Sequence, residues 1–133
     1  MSGRNDSNNN ESTIVVVVLG ATGALGRAVL RVLAHQEPSW IVRAVTRDPL
    51  PCESMPELKL PTVQIIQGNP LDPESFQNVT SGAQIIIQCL TRLHPVNTRR
   101  PKRYLAEHWP SLIQRLLSLA KTKGTKIVFA ESW

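Results

Sequence analysis

Three glycines, each separated from the next by two residues, form the part of the sequence best suited to binding a phosphate: Gly20, Gly23 and Gly26. The first allows a sharp turn at the end of a strand, and the third allows a following helix to pack closely on that strand. The second lets backbone amides approach a pyrophosphate, which the positive end of the helix dipole also attracts. No Lys-Ser or Lys-Thr pair directly follows the third glycine, so this is not the phosphate loop of P-loop ATPases and GTPases.

The elements on either side of the glycines favour a nucleotide site. The apolar run Val15–Leu19 precedes the turn and is typical of a strand buried on both faces. An amphipathic helical pattern over residues 24–35 follows it, with Thr22 as the predicted N-cap. Glycine-rich turns also join strands to helices without binding a ligand, so the strong strand and helix are what favour a bound nucleotide.

Arg47 lies just after a second predicted strand, residues 40–46. In a dinucleotide fold this position, about twenty residues beyond the glycine turn, contacts the adenosine ribose. An acidic residue there binds the 2′-hydroxyl of NAD, whereas an arginine suits the 2′-phosphate of NADP. Asp48 follows at once, and an exposed turn arginine is the alternative interpretation. We expect NADP(H) to be favoured over NAD(H).

The segment after this second strand is rich in proline. Residues 49–61 hold four of the ten prolines of the chain, and proline disrupts helix interiors. We therefore expect at best a turn over residues 54–60, in place of a regular helix. Further on, Asp72 and Pro73 are typical of an N-cap and a first helical residue.

The last predicted helix ends before Gly124, and Pro110 is expected in its first turn because proline kinks a helix interior. Its apolar residues form a stripe that is expected to face the core: Trp109, Leu112, Ile113, Leu116, Leu117 and Ala120.

Strands and helices alternate along the chain, which predicts an α/β fold: a Rossmann-like, doubly wound parallel sheet with right-handed crossovers. The expected order of its five strands in space is 3-2-1-4-5, with the ligand at their carboxyl ends where that order reverses. Besides the two strands already described, strands are predicted at residues 63–67, 83–90 and 126–130.

Composition bounds the class of protein. With 133 residues the chain has room for one domain, which we place at residues 13–133, after a polar, Asn-rich tail (1–12) expected to be disordered. The longest apolar run is far too short to span a bilayer. The net charge is +5, which permits acidic partners without demanding them.

The two cysteines, Cys52 and Cys89, lack metal-ligand spacing, and the chain shows no signal peptide, so we expect a reducing compartment and no metal site. A cytoplasmic location follows. Residues 99–103 also match a short nuclear-import patch, which leaves a nuclear location as the alternative.

Three stretches together resemble the NmrA-like family of atypical short-chain dehydrogenases: Gly-Ala-Thr-Gly-Ala-Leu-Gly at 20–26, Arg-Ala-Val-Thr-Arg-Asp-Pro at 43–49 and Gln-Gly-Asn-Pro-Leu-Asp-Pro-Glu-Ser at 67–75. This family includes NADPH-dependent reductases and NAD(P)-sensing regulators. The resemblance covers residues 14–132 but only the N-terminal, cofactor-binding half of the family fold. It implies an NAD(P)-binding domain that is truncated relative to the family.

The resemblance also implies the roles of individual residues. Arg47 takes the 2′-phosphate, Asn69 lies beside the adenine where the family usually has Asp, and Leu90 and Thr91 lie beside the nicotinamide half. The residues implied around the pyrophosphate are Gly20, Thr22, Gly23, Ala24 and Leu25, with Gly26 completing the motif.

The residues that carry catalysis in short-chain dehydrogenases are not recognisable in this chain. Their Tyr-x-x-x-Lys pair uses the lysine to lower the pKa of the tyrosine, but Tyr104, the sole tyrosine, has His108 four residues on. Ser132 lies where the family often carries serines. Two main interpretations stay open: the cofactor half of a reductase, and a non-enzymatic, redox-sensing module that acts through a partner. A third, less favoured one is an interaction protein that keeps the fold and binds no nucleotide.

The expected partners are a dinucleotide and either another protein or a second copy of the chain at the edge of the fifth strand. No membrane is expected to bind, and nothing in the sequence favours nucleic acid, since the basic stretch around residues 92–103 lacks interleaved aromatic residues.

Overall fold

The chain alternates strands with helices, as its apolar pattern predicts. The computed structural model describes residues 13–49, 53–90 and 101–130, of which 101–107 only as backbone. The strands are β1 Val15–Leu19, β2 Ile41–Thr46, β3 Val63–Gln67, β4 Ile85–Gln88 and β5 Lys126–Phe129. The helices are α1 Ala24–Gln36, α2 Pro73–Thr80 and α3 Pro101–Lys123.

The five strands form one parallel sheet in the order β3-β2-β1-β4-β5. This confirms the predicted fold class and strand order. The strand β1 lies at the centre, between β2 and β4, and the order reverses there. All five carboxyl ends therefore lie along one edge of the sheet, which is where ligands bind in open parallel sheets.

Helices pack on both faces of the sheet because the central strand is apolar on both sides. From Val16 to Leu19 every side chain of β1 is fully buried, and burying one such side chain contributes about 1.5–3 kcal/mol. Val16 and Val18 belong to the face that carries α1, here called the α1 face. Val17 and Leu19 belong to the opposite face, the α3 face, which also carries α2.

Two of the predicted helix starts are wrong and one is confirmed. The N-cap of α1 is Gly23, not Thr22, and no side chain caps it. Pro110 lies inside α3, not in its first turn, because the helix begins at Pro101. Pro110 is exposed, and its missing N–H removes one hydrogen bond from the helix interior. The predicted cap of α2 is confirmed: an Asp72 carboxylate oxygen accepts from the Ser75 amide at 2.9 Å.

The predicted apolar stripe of α3 is only partly correct. Leu112 and Leu116 are fully buried, but Leu117 is 54% exposed. Leu119, which the stripe omitted, packs with Trp109 and Ile113 on the α3 face. α3 packs against β5, a strand at the side of the sheet, and part of the predicted stripe is exposed.

The connection between β2 and β3 includes a turn of 3₁₀ helix, Pro56–Lys59, within the predicted range. β4 is shorter than the predicted 83–90. No helix within the described ranges is long and apolar enough to cross a membrane.

Several predictions concern parts of the chain outside the described residues, and these stay predictions. They are the tail 1–12, Cys52, Thr91, the basic residues Arg99 and Arg100, and Ser132.

Candidate nucleotide-binding site

Most of the predicted site residues lie at the carboxyl edge of the sheet. Gly20 directly follows β1, and Arg47 directly follows β2. Asn69 and Leu90 each come two residues after the ends of β3 and β4. Since these four strands are neighbours in the sheet, the fold brings all four segments to the same edge. Thr91 lies outside the described residues.

Two of the three glycines in the turn are required by the protein itself. Gly20 has a φ of +77°, which side chains rarely tolerate. A Cβ atom there would lie 2.8 Å from the carbonyl carbon of Cys89 and the amide nitrogen of Leu90. At Gly26 a Cβ atom would lie 2.2 Å from the Gly20 carbonyl oxygen, so the start of α1 can approach the turn only without a side chain.

Gly23 differs from both. Its φ of −78° and ψ of 171° suit any residue. A Cβ atom there would meet only the Gly20 carbonyl oxygen, at an ordinary contact distance of 3.7 Å. The residue is exposed, so neither backbone conformation nor packing within the described chain requires glycine at this position. A side chain at residue 23 would instead occupy the space outside the first turn of α1.

The first turn of α1 offers uncapped amides to that space. A helix leaves its first amides without an intrahelical partner, and α1 has no side-chain cap and no acidic residue in its first turn. The first regular helical bond runs from the Arg27 amide to the Gly23 carbonyl, at 2.9 Å. The amides of Ala24 and Leu25 precede it, and with the positive end of the helix dipole they can bind an anion.

The turn that carries Arg47 is held by two neighbours. The hydroxyl of Thr46 donates to the Asp48 carbonyl at 3.0 Å and accepts from the Asp48 amide at 3.3 Å. The side-chain amide of Gln67 donates to the Arg47 carbonyl at 3.3 Å. The backbone is therefore fixed at the end of β2, while the Arg47 side chain is exposed at the surface. Sequence reasoning missed Thr46 and Gln67, which read as ordinary strand residues.

Asn69 shapes the turn that leads into α2. Its side-chain oxygen accepts from the Leu71 backbone amide at 3.0 Å, and its backbone amide donates to the Ser75 hydroxyl at 2.8 Å. An aspartate would supply the same oxygen, so this turn does not distinguish the two residue types. The side-chain NH₂ group of Asn69 is what an aspartate lacks.

Gln88 fixes the backbone at the end of β4. Its side chain is only 1% exposed, and its amide group donates to the Leu90 carbonyl at 2.8 Å and accepts from the Leu90 amide at 3.0 Å. Both polar groups of Leu90 are thereby satisfied within the chain. The sequence signal for Gln88 was a single polar residue at the end of an otherwise apolar strand.

Cys89 is not suited to act as a nucleophile. The thiol is buried, and burial raises its pKa to about 11. It is therefore protonated near neutral pH, and the reactive species of cysteine is the thiolate.

Sequence analysis also missed an ion-pair cluster beside the glycine turn, in which the glutamate is buried and the two arginines are partly exposed. Glu57, in the 3₁₀ helix, is paired with Arg27 and Arg31 of α1 at 2.9 Å and 2.5 Å. Hydrogen bonds from its own backbone amide and from Arg27 lower the pKa of Glu57 to about 2, so it is ionised. The signal available was a pair of arginines four residues apart on a helix whose opposite face is apolar.

Comparison with known proteins identifies relatives. The model of the NmrA-like family matches residues 11–100, more than half of the chain. Averufin oxidase A of Aspergillus flavus is 30% identical over 84 residues, which are 59% of this chain and 30% of that protein.

The solved structures that share the fold include two with a bound dinucleotide. NmrA, a negative transcriptional regulator in complex with NAD, is 21% identical with a TM-score of 0.62, over 88% of this chain and 33% of that one. A short-chain dehydrogenase/reductase from Veillonella parvula in complex with NADP is 11% identical with a TM-score of 0.61, over 87% and 46% of the two chains. The chain thus spans about a third to a half of the length of these relatives.

Proposed function

Because this chain belongs to the NmrA-like family, we propose that it binds a nicotinamide dinucleotide, with the pyrophosphate at the first turn of α1. Gly23 is the observation that carries the proposal. The protein does not need glycine there, whereas a phosphate approaching the amides of Ala24 and Leu25 does.

The other site residues take roles along the carboxyl edge of the sheet. Gly20 and Gly26 shape the turn, and Thr22 lies within it. Arg47 binds the adenosine 2′-phosphate, and Asn69 lies beside the adenine with its NH₂ group as a donor. Leu90, with its backbone fixed by Gln88, and Thr91 lie beside the nicotinamide half, whose ring supplies hydride chemistry when bound.

The preference for NADP(H) is proposed from Arg47. A charge-assisted hydrogen bond contributes about 1.5–3 kcal/mol, which corresponds to a preference of about tenfold to a hundredfold over NAD(H). Calorimetric titration with NADPH and NADH tests this. We expect Arg47→Ala to remove the preference, while Lys59→Ala, an exposed basic residue of the same connection, should leave it unchanged. Equal affinities in the wild-type chain would contradict the proposal.

We propose that the chain itself does not catalyse hydride transfer, because its sole tyrosine, Tyr104, is not followed by lysine four residues on. A second candidate function is a redox-sensing module that responds to the bound dinucleotide and acts through a protein partner. The likeness to NmrA, a transcriptional regulator, favours it, and the likeness to averufin oxidase A favours the cofactor half of an oxidoreductase. Pull-down with full-length reductases and with transcription factors distinguishes the two candidates, and oxidation of NADPH against a panel of carbonyl and enone substrates tests the absence of catalysis.

We also propose that the edge of β5 recruits a protein partner or a second copy of the chain. Val128 and Phe129 are 41% and 43% exposed, and among the described residues β5 pairs with β4 alone. An apolar edge strand of this kind favours pairing with another chain.

A further inference from the structure

The connection between β2 and β3 is anchored at two places. At its start, Thr46 and Gln67 hold the backbone around Arg47. At the 3₁₀ helix, Leu58 is buried on the α1 face and Glu57 is held by α1. The second anchor combines an apolar contact, which does not depend on direction, with ion pairs that fix orientation.

Glu57 uses both of its carboxylate oxygens to hold α1. One accepts from the Nε of Arg27 at 2.9 Å, and the other accepts from Arg31 at 2.5 Å. The Glu57 side chain is only 9% exposed, whereas that of Arg31 is 57% exposed. A carboxylate withdrawn from water to this extent needs its partners, since an unpaired buried charge is strongly destabilising.

The arginines that hold Glu57 belong to the helix that begins at the glycine turn. The Arg27 amide donates to the Gly23 carbonyl at 2.9 Å, so Arg27 lies in the first turn of α1, and Arg31 lies one turn later. The ion pairs therefore join the element with the proposed pyrophosphate site to the connection that carries Arg47.

We propose that Glu57 is a positioning residue for NADP(H). It holds the connection against α1 at the spacing that lets Arg47 reach the 2′-phosphate while the pyrophosphate rests on α1. Glu57 itself, an anion, does not touch the nucleotide. This inference rests on the proposed function of the glycine turn and of Arg47, and it adds a residue that acts through Arg47.

Calorimetry with NADPH and NADH tests the role of Glu57. We expect Glu57→Gln to weaken NADPH binding about tenfold, the loss of one well-placed charge-assisted hydrogen bond, and to leave NADH binding nearly unchanged. Glu53→Gln is the matched control, because Glu53 is an exposed glutamate of the same connection, and it should change neither affinity.

A double-mutant cycle separates positioning from a general structural role. If Glu57 acts through Arg47, then Glu57→Gln adds no further loss of NADPH preference to the Arg47→Ala variant. Arg31→Gln is a milder change, which should weaken NADPH binding selectively but to a smaller extent. It replaces Glu57→Gln in the test if that variant does not fold.

An unchanged ratio of NADPH to NADH affinity in the folded variants would overturn the inference. Equal losses for both nucleotides, or additive losses in the cycle, would overturn it as well. A wild-type chain that binds neither nucleotide would instead contradict the proposed function, which keeps the two failures distinguishable.

Discussion

At the scale of single residues, one residue type serves three purposes in one turn. Gly20 is needed for its positive φ and its contact with the end of β4, and Gly26 for its contact with the Gly20 carbonyl. Neither constraint applies to Gly23, which has a negative φ and only an ordinary contact with the Gly20 carbonyl. The spacing of the glycines in the sequence could not distinguish these three roles, because it gives no distances between the turn and the residues around it.

The ion pairs of Glu57 should make the stability of the chain depend on acid pH. Hydrogen bonds from its own backbone amide and from Arg27 lower the pKa of Glu57 from 4.5 to about 2. Because the folded-state pKa lies below the unfolded one, the stabilisation is fully present above pH 4.5 and is lost as the pH falls towards 2.

Urea unfolding at a series of acid pH values measures this dependence. We expect Glu57→Gln to flatten the decline in the free energy of unfolding with falling pH, and Glu53→Gln to leave it as in the wild-type chain. A decline of the same steepness in Glu57→Gln would show that other groups cause it.

At the scale of elements, the N-termini of α1 and α2 differ in whether a side chain of the protein caps them. The N-terminus of α2 is capped by Asp72, so its first turn is satisfied within the chain. The N-terminus of α1 has no side-chain cap. The capped N-terminus of α2 therefore needs no ligand, whereas the uncapped N-terminus of α1 is the proposed anion site.

Asp72→Ala should lower the free energy of unfolding by about 1 kcal/mol, because the bond from the Ser75 amide to the Asp72 carboxylate is lost. Chemical denaturation measures the change, with Gln77→Ala, an exposed residue of α2, as the control. Nucleotide affinity should be unchanged. A loss no greater than that of the control would mean that the cap contributes nothing to stability.

Apolar runs predicted the strands that the structure describes, and the alternation of strands with helices predicted their order in the sheet. Helix termini were predicted less well. The side chain of Thr22 could cap a helix, but the residue at the N-cap position is Gly23. Pro110 lies inside α3, although proline is expected only in the first turn of a helix. The Glu57 cluster was missed because residues 26 and 30 apart in sequence meet only after folding.

At the scale of the whole molecule, the exposed apolar residues near the β5 edge of the sheet are the feature least explained by the proposed site. On the α1 face, Val32 of α1 is 58% exposed and Val128 of β5 is 41% exposed. On the opposite face, Phe129 is 43% exposed. Val32 and Ile87 of β4 line one shallow groove, and Ile87 is the register partner of Val128. Exposed apolar surface of this kind favours association.

We expect the chain to self-associate through antiparallel pairing of β5 with β5 of a second copy. A two-fold axis at Val128 places Ile127 opposite Phe129 of the second copy, so that both exposed apolar residues of β5 are covered. Light scattering at several concentrations should show the dimer, and Val128→Lys should weaken it.

Leu117→Lys is the control for this prediction, because Leu117 is equally apolar and 54% exposed but lies on α3. It should leave the association unchanged. A monomer at every concentration would contradict self-association, and equal effects of the two lysine variants would contradict its placement at β5.

The proposed pyrophosphate site depends most directly on Gly23, and calorimetric titration of Gly23→Asp with NADPH tests it. Aspartate is among the best N-cap residues, and residue 23 has room for a Cβ atom, so the variant should be at least as stable to urea as the wild-type chain. Its carboxylate would nevertheless place volume and negative charge where the pyrophosphate approaches. We predict no NADPH binding at concentrations that saturate the wild-type chain, and a smaller loss for Gly23→Ser. A folded Gly23→Asp variant that binds NADPH as tightly as the wild-type chain would contradict the central claim.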